Sequence, residues 1–582
     1  MNVVIEPIET APVNDRQDEL ILPELDEEDN SILNPAVPPT SGIRMLIFQE
    51  KENALYMPVR NQYRFFRIFK AISLIAKSEV KKEHPSVLIV TDERPAAAHL
   101  LKYCAKIFAF DGYKIFFEEN LEEENDVGTA NKENKEFSSN MSTPYGSFAV
   151  NLFEYIDVSI VITASHNPRT WDGIKFYINE PIPISGGIMQ EVFEQSRKIE
   201  KIGLIKSPKI NQIKANEKNN EYVVSLVSEI MDLSPLADKN IVIWPYVGTA
   251  PEIQSLFKKI GADTTIINET MEPPDPVENI NKARTVEVLR EHNANIGILL
   301  DTDRDRVVMI IKQRNGNFIT LFPNELYTAM HNILVNEYNK KIINVRTVPS
   351  DPRGDKHAII NIVTGVGYKH LGLVLYAALN KKIRKDKFDS SLIYLWEEEK
   401  VTKIKDPQQI NHIILEECGE DEELLMVLWE ESGGHTVNIL NKKNNNLQSK
   451  YPLIGDKYPA VAILILCALI EKGYNLLDYI DRKIMGTFST LKADNDKKLE
   501  IMNGFSKMKG KDIQIQDYEY HINYYTKLND TLDIIWLKSE TTNIYFRASG
   551  TGPLVRIYAF GPRTTVKKEL ENVKEKIRKL YF

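Results

Sequence analysis

The chain has 582 residues, 43% of them hydrophobic and 27% charged, with a net charge of −9. That mixture builds ordinary globular cores over roughly three to five domains, and its acidic balance excludes a general attraction to nucleic acid or to anionic membrane. The three cysteines, Cys104, Cys418 and Cys467, are far apart and odd in number, which excludes a disulfide framework and a paired-cysteine metal site.

From the N-terminus, residues 6 to 39 are acidic and Pro-rich, and read as a mobile or surface-wrapped arm. No basic segment followed by a long apolar one opens the chain, so no secretory signal is expected. Thr40-Ser-Gly-Ile-Arg-Met45 is a turn signal. A helical pattern over 63–77, a strand Ser86–Thr91 ending at Asp92-Glu-Arg94, a helix over 96–110 and a strand Lys114–Phe117 give a βαβ rhythm. Residues 118–140 read as a surface insertion, after which Thr143-Pro144 opens a helix. The apolar run Ile156–Ile162 reads as a buried strand, and 207–222 as a boundary.

A second βα series starts at Asn240–Pro245 and ends with the strand Ile296–Leu300; a third starts near Phe318 and includes Lys341–Val345 and Ile359–Val363. The charged stretch Lys381–Glu423 has no clear pattern, and Asn441–Asn446 reads as a polar insertion. The apolar run Ala460–Ile470 is too short to span a bilayer and reads as a core helix closing the third unit. Beyond Asp481 the pattern turns to shorter strands, Thr531–Leu537, Asn543–Phe546 and Leu554–Phe560. A last helix carries one apolar stripe of Val566, Leu570, Val573, Ile577 and Leu580. The expected divisions are an arm at 1–39, three α/β domains at 40–206, 207–312 and 313–480, and an α+β domain at 481–582. A cytoplasmic location is expected.

Four stretches carry chemistry. In Val161-Ile-Thr-Ala-Ser-His-Asn-Pro-Arg-Thr170 the strand stops at a turn, because Pro168 biases Asn167 away from helix. Ser165 is thereby placed in a tight loop beyond a strand end, with His166 as a proton partner. Asp301-Thr-Asp-Arg-Asp-Arg306 follows an apolar strand; in an extended chain Asp301, Asp303 and Asp305 point the same way and suit Mg2+. An EF-hand is excluded, because its glycine position holds Arg306 and its terminal glutamate position Lys312. Phe546-Arg-Ala-Ser-Gly-Thr-Gly-Pro-Leu-Val-Arg556 is a small-residue loop whose N–H groups and the hydroxyls of Ser549 and Thr551 can approach an anion between Arg547 and Arg556. Leu428-Trp-Glu-Glu-Ser-Gly-Gly-His435 and Thr364-Gly-Val-Gly-Tyr-Lys-His370 offer polyol-binding groups. Together these suit phosphoryl transfer, which rests on positioning and charge stabilisation.

Thr163-Ala-Ser-His-Asn-Pro168 resembles the active-serine loop of the phosphoglucomutase/phosphomannomutase (α-D-phosphohexomutase) family. Asp301–Arg306 resembles its metal loop, Glu430-Glu-Ser-Gly433 its sugar loop, and Arg547–Thr551 its phosphate loop. Ser41–Arg44 and Asp172–Lys175 are similar to neighbouring segments, so the resemblance runs from about residue 40 onward. It implies three α/β domains with mixed sheets flanked by helices and a smaller α+β domain, arranged around a central cleft. It further implies a phosphorylated Ser165 that, with the three aspartates, holds one Mg2+, and an exchange of hexose 1-phosphate and 6-phosphate through a bisphosphate, with hexose 1,6-bisphosphate as activator. Arg44, His166 and Lys175 become candidates for proton transfer or charge stabilisation. The implied substrate-binding set is Arg306, Thr364, Gly365, Lys369, His370, Glu430 and Ser432, and the phosphate-binding set Arg547, Ser549, Gly550, Thr551 and Arg556. The expected partner is a small sugar phosphate, not nucleic acid or membrane, acting on a monomer or weak dimer. Asp172–Phe176 and Ser549–Gly552 lean toward phosphoglucomutase; the alternatives are a phosphomannomutase or dual-specificity mutase, or a mutase-like regulatory protein. Arg304, bulkier than the family's usual small residue, is expected to crowd the metal loop.

Overall fold

The computed structural model describes the chain except residues 1, 36–38, 40–41, 120–136, 384, 398–399 and 550–553. It divides into two compact units, Met1–Phe322 with Pro452–Tyr474, and Pro323–Tyr451 with Asn475–Phe582.

The first unit holds a six-stranded sheet in the order Ile210–Ile213, Lys114–Glu118, Ser86–Thr91, Val158–Ile162, Trp171–Ile178, Ile43–Leu46. The first four strands are mutually parallel, and Trp171–Ile178 runs antiparallel to both its neighbours, Val158–Ile162 and Ile43–Leu46. Val158–Ile162 is buried along its whole length, as a central strand covered on both faces must be, and this is why it reads as an unbroken apolar run. The helix Thr143–Leu152 begins as its sequence predicts, with Ser142 capping the Tyr145 N–H and Pro144 in the first turn. A second sheet of five strands runs Asp263–Ile266, Asn240–Trp244, Ile296–Leu300, Val307–Lys312, Phe318–Leu321.

Several sequence expectations change here. The segment 6–39, read as a mobile or surface-wrapped arm, forms two strands and a helix. Its strand Gln17–Ile21 pairs with Lys201–Ile205, and Leu20 and Leu33 are buried. Within the acidic run Asp29 is buried and takes the guanidinium of Arg64 at 2.6 Å, while Asp26, Glu27 and Glu28 stay exposed. The polar stretch 207–222 adds the strand Ile210–Ile213 to the first sheet and starts the helix Ala215–Ile230, whose first N–H groups are accepted by the Glu118 carboxylate. Phe318–Leu321 opens no new series; it is the second strand of a hairpin whose turn uses Gly316 at φ 81°. The helix Pro459–Glu471 packs on Ala215–Ile230 in the first unit, not in the third series. Its sequence is apolar all round, which announces burial without saying against what.

The second unit holds a seven-stranded sheet, Lys400–Lys403, Ile393–Glu397, Ile360–Thr364, Lys341–Thr347, Glu423–Trp429, His435–Lys443, Asn446–Ser449. The unpatterned charged stretch supplies the two strands at one edge of this sheet and the helix Pro407–Glu417, opened by an Asp406/Gln409 capping box. The Asn441–Asn446 insertion is the turn of a hairpin, with Asn444 and Asn445 both at positive φ. A six-stranded antiparallel sheet, Ile484–Lys492, Leu554–Pro562, Asn543–Ala548, Leu532–Lys538, Tyr518–Thr526, Asp512–Ile515, backs onto the helices Asn495–Ser506 and Val566–Tyr581. Val566, Leu570, Val573 and Ile577 are buried, while Leu580 lies beyond the core. Tyr394, Tyr525, Trp536, Tyr545 and Tyr558 form one aromatic cluster joining the unit's two sheets. Among the described residues no helix is long and apolar enough to cross a membrane.

Candidate functional site

The strand Val158–Ile162 runs into Thr163 and Ala164, and the chain then turns at Ser165 with φ 54°. A left-handed backbone costs a non-glycine residue about 1–3 kcal/mol and persists only where surroundings fix it. Here they do. The Ser165 N–H donates to Thr163 Oγ1 (2.8 Å), and that hydroxyl donates to Asp92 Oδ2 (2.6 Å). Arg94 Nε donates to the same carboxylate (3.1 Å), and the guanidinium donates to the carbonyl oxygens of Ser165, Asn167 (2.8 Å), Pro168 (2.9 Å) and Trp171 (3.1 Å). Gly173 passes so close beneath that a Cβ there would lie 2.5 Å from the Thr163 carbonyl. The serine is 1% exposed, so it is a walled-in hydroxyl rather than an exposed loop tip.

Ser165 Oγ lies 3.3 Å from His166 Nδ1 and donates to Asp301 Oδ2 at 3.2 Å. On the other edge of the ring, Arg306 Nη2 lies 3.4 Å from His166 Nε2, and Asp275 accepts from Arg306 Nη1 at 2.6 Å. A guanidinium can only donate, so Nε2 accepts and Nδ1 carries the hydrogen toward Ser165. Burial, then Arg306 and Arg44, hold the His166 pKa well below its usual value, so the ring is neutral. Arg44 donates to Asn167 Oδ1 at 3.2 Å.

After the strand Ile296–Leu300 the chain does not stay extended. It turns tightly, with Arg304 at φ 57°, and Asp301 Oδ1 accepts the N–H groups of Asp305 and Arg306 at 3.0 Å each. The three carboxylates converge through this turn, their ligand atoms within 4.8 Å of one another and all buried. Arg304 does not crowd them: its guanidinium pairs with Glu93 and, at 3.3 Å, with Glu252. Lys175 Nζ bridges Asp303 Oδ2 (2.6 Å) and Asp305 Oδ2 (2.9 Å), Thr143 donates to Asp303 Oδ2 (2.6 Å), and Lys457 reaches Asp305 Oδ1 (3.3 Å). Burial would discharge Lys175, but the two carboxylates outweigh it and keep it protonated. Asp301 is pushed well above the usual carboxylate range by burial and by its two neighbours. Asp303 Oδ1 is buried without a hydrogen-bond partner. Three convergent hard oxygens and one unsatisfied buried lone-pair site fit a divalent cation, whose charge would reverse the upward push on Asp301.

The second unit gathers the other predicted residues. Past the strand Glu423–Trp429 the chain turns through Glu430–Gly434, where Ser432 donates to Glu430 and Thr347 Oγ1 donates to Glu431 Oε2 at 2.9 Å. Burial and Glu430 raise the Glu431 pKa, with Arg556 opposing. Lys369 starts the helix Tyr368–Ala378; burial, with Lys527 and Arg547 adding and Asp533 opposing, lowers its pKa to about 8. His370 is held neutral by burial and by the same cations, and its Nδ1 lies 3.0 Å from Ser391 Oγ. Gly365 packs against it, since a Cβ there would lie 3.3 Å from the His370 ring. The Thr364 hydroxyl is turned inward onto the Gly365 carbonyl at 3.0 Å. Arg547 and Arg556 are direct cross-strand partners, with the Glu431 carboxylate in the field of Arg556, and Arg547 Nε is buried with no hydrogen-bond partner. Ser549 caps this hairpin through its N–H to the Leu554 carbonyl (2.9 Å), and Lys498 Nζ donates to the Ser549 carbonyl (3.0 Å). Gly550 and Thr551 lie outside the described residues, as does Ser41.

Sequence reasoning missed Asp92, Arg94, Thr143, Asp275 and Lys457. Only Asp92 and Arg94 carried a signal, as charged residues just past the end of a buried parallel strand, where α/β sheets gather function. The others reach the site from elements distant in sequence.

A sequence-family model described as phosphoglucomutase/phosphomannomutase, alpha/beta/alpha domain I, matches residues 125–203. The chain is 28% identical over 256 residues to a phosphoglucosamine mutase of Thermodesulfovibrio yellowstonii, covering 39% of this chain and 54% of that protein. It is 24% identical over 309 residues to a phosphoglucomutase of Staphylococcus aureus, covering 48% and 54%. The chain thus spans about half the length of these relatives, and 39–40% of several other phosphoglucosamine mutases. Among solved structures, the Paramecium exocytosis-sensitive phosphoprotein parafusin, a phosphoglucomutase in open form, superposes with a TM-score of 0.62 at 15% identity, covering 100% of this chain and 97% of that one. A phosphoglucomutase/phosphomannomutase family protein of Burkholderia thailandensis gives 0.59 at 15% identity, covering 94% and 96%. At that identity the likeness carries the fold, a set of mixed α/β sheets flanked by helices.

Proposed function

We propose that the chain is a phosphohexomutase, an intramolecular phosphotransferase that exchanges the 1- and 6-phosphates of a hexose through a phosphorylated Ser165 and a hexose bisphosphate. The observation that carries this reading is the hydrogen bond from Ser165 Oγ to Asp301 inside the buried acidic triad. A hydroxyl placed against converging carboxylates is suited to phosphoryl chemistry only if a cation joins them.

Asp301, Asp303 and Asp305, with the phosphoryl group on Ser165, would hold Mg2+, which supplies Lewis-acid charge withdrawal from the transferring group. The chain's own residues do the rest. The Thr163–Asp92–Arg94 contacts fix the direction of Ser165 Oγ. His166 Nδ1–H, polarised from its far side by Arg306, stabilises the charge returned to Oγ as the phosphoryl group leaves. Lys175, protonated, balances two of the three carboxylates. Arg547, whose buried Nε has no hydrogen-bond partner, grips together with Arg556 the phosphate that is not reacting, and Lys369, Glu430 and Ser432 read the sugar hydroxyls. A division into an N-terminal segment, three α/β domains and a C-terminal α+β domain is part of this proposal, with the boundaries at 206/207, 312/313 and 480/481 shifted as the strand and helix packing described above requires, as is activation by hexose 1,6-bisphosphate.

Asp172–Phe176 and Ser549–Gly552 favour glucose phosphate. Glucosamine phosphate is a second reading, favoured by the names of several relatives. A panel of glucose, mannose and glucosamine 1-phosphates, with and without catalytic bisphosphate and Mg2+, tests both. The expected result is conversion of at least one, bisphosphate-stimulated, with phosphate on Ser165 by peptide mass spectrometry. No conversion and no phosphoserine would overturn the proposal.

A further inference from the structure

The geometry points to Arg94 as a positioning residue: its guanidinium sets the conformation of the Ser165 loop and so the aim of the nucleophile. The inference rests on the phosphoserine reading for its catalytic consequence, but not for its structural one.

An arginine side chain has five N–H donors in a fixed planar fork. All five of Arg94 are used. Nε serves Asp92, Nη1 serves the carbonyls of Pro168 and Trp171, and Nη2 serves those of Ser165 and Asn167. The side chain is 1% exposed. Four of these acceptors are backbone carbonyls of one loop, between residues 165 and 171; Nη2 also lies 3.5 Å from Thr302 Oγ1 of the acidic loop. The Pro168 carbonyl also accepts the Trp171 N–H within the loop (2.9 Å), and Trp171 opens the strand Trp171–Ile178, so the fork ties the loop's turn to its exit into the sheet. The fifth acceptor, Asp92, also receives Thr163 Oγ1, which in turn accepts the Ser165 N–H. The loop is thus held from its carbonyl side by Arg94 and from its N–H side by Asp92 acting through Thr163. Both supports start from the same three residues past the strand Ser86–Thr91. Between them sits Ser165 in its left-handed conformation. None of these contacts touches Oγ, so Arg94 acts through the backbone.

A lysine can carry the charge but at most three of the bonds, and cannot reach four carbonyls spread over seven residues. A misplacement of the nucleophile by about 1 Å costs on the order of 10²-fold in rate. The test compares wild type, Arg94→Lys and Arg94→Ala in the full chain, with Asp92 intact. Turnover is measured on whichever hexose phosphate the wild type converts, and amide exchange is measured for the peptide spanning 163–171. Both variants should lose roughly 10²-fold in kcat with KM changed less than about threefold. Exchange over 165–171 should rise while the rest of the first sheet stays protected. Added guanidinium ion should restore at least tenfold of the Arg94→Ala rate and part of its loop protection. Normal kcat in both variants, or unchanged exchange in the loop, would overturn the inference; so would a loss expressed in KM and not rescued by guanidinium. If wild type proves to turn over no hexose phosphate, the mutase reading fails, and the exchange and rescue measurements still decide the loop's dependence on Arg94. If Arg94→Ala does not fold, Arg94→Lys carries the comparison through its kcat and exchange.

Discussion

The two units treat charge in opposite ways. In the first, the reactive cluster is closed on itself: Asp303 and Asp305 share Lys175, Asp275 holds Arg306, and Arg94 has every N–H engaged. In the second, cations face cations. Arg547 opposes Arg556 across the strands, and Lys369 lies in the field of Lys527 and Arg547. Groups that must point in one direction at the moment of reaction gain from fixed internal partners, because orientation is then established in folding. Groups that must recognise an anion gain from an excess of positive charge for the ligand to relieve. Substitutions in the first unit should therefore lower kcat, and those in the second should raise KM.

The largest effect is expected at Ser165. Ser165→Ala should reduce turnover to background with an unchanged melting temperature, because the hydroxyl makes only two contacts and a methyl fits its space. A variant within tenfold of the wild-type rate would remove the covalent carrier from the account. Next is Asp303→Asn, which should cost on the order of 10² or more in kcat, as loss of one preorganised charge does. It should also raise the Mg2+ concentration needed for half-maximal rate. An unchanged Mg2+ dependence would break the assignment of the triad.

These predictions concern loops whose chemistry could be read from sequence and whose geometry could not. The strand Val158–Ile162 and its stop at Thr163 follow from an apolar run ending in small residues and Pro168. The left-handed Ser165 does not, since it depends on Arg94, 71 residues away. The aspartates were legible as a cluster, but an extended chain was the wrong way to bring them together. The observed turn depends on Asp301 accepting two N–H groups from its own loop. Arg304 looked like an obstruction because Glu93 and Glu252, its partners, are far off in sequence. For the N-terminal acidic segment the sequence left mobile and surface-wrapped open, and the structure shows the second. Composition reports its charge, whereas its order rests on sparse apolar positions such as Leu20 and Leu33 and on Arg64 finding Asp29. Local pattern carried the elements; long-range pairing carried the site.

In the second unit Arg547→Gln should raise KM for the sugar phosphate with kcat changed only a few fold. The loss is that of one charged hydrogen-bonding group, about 1.5–3 kcal/mol, or roughly 10- to 150-fold in kcat/KM. A fall in kcat instead would place Arg547 with the reacting groups and erase the contrast between the units.

The smallest effect is a pH limb. Lys369, with its pKa lowered to about 8 by burial and by Lys527, loses its charge in the free protein near that pH. Its pull on an anionic substrate should fade as pH rises, so kcat/KM should fall with an apparent pKa near 8 while kcat, which reports the bound state, stays level there. Lys369→Met should have a lower kcat/KM and no such limb. The stability record must carry the opposite sign. Between about 8 and the ordinary lysine value the unfolded chain binds the extra proton, so wild-type stability rises with pH across that window. Below about 8 the folded state bears the whole cost of a partly buried ammonium, and Lys369→Met should there be more stable than wild type. The gap should close as the pH climbs toward the ordinary lysine value. An activity limb that persists in Lys369→Met would belong to another group, and a stability gap that widens with pH would mean the lysine is held by a partner rather than waiting for a ligand.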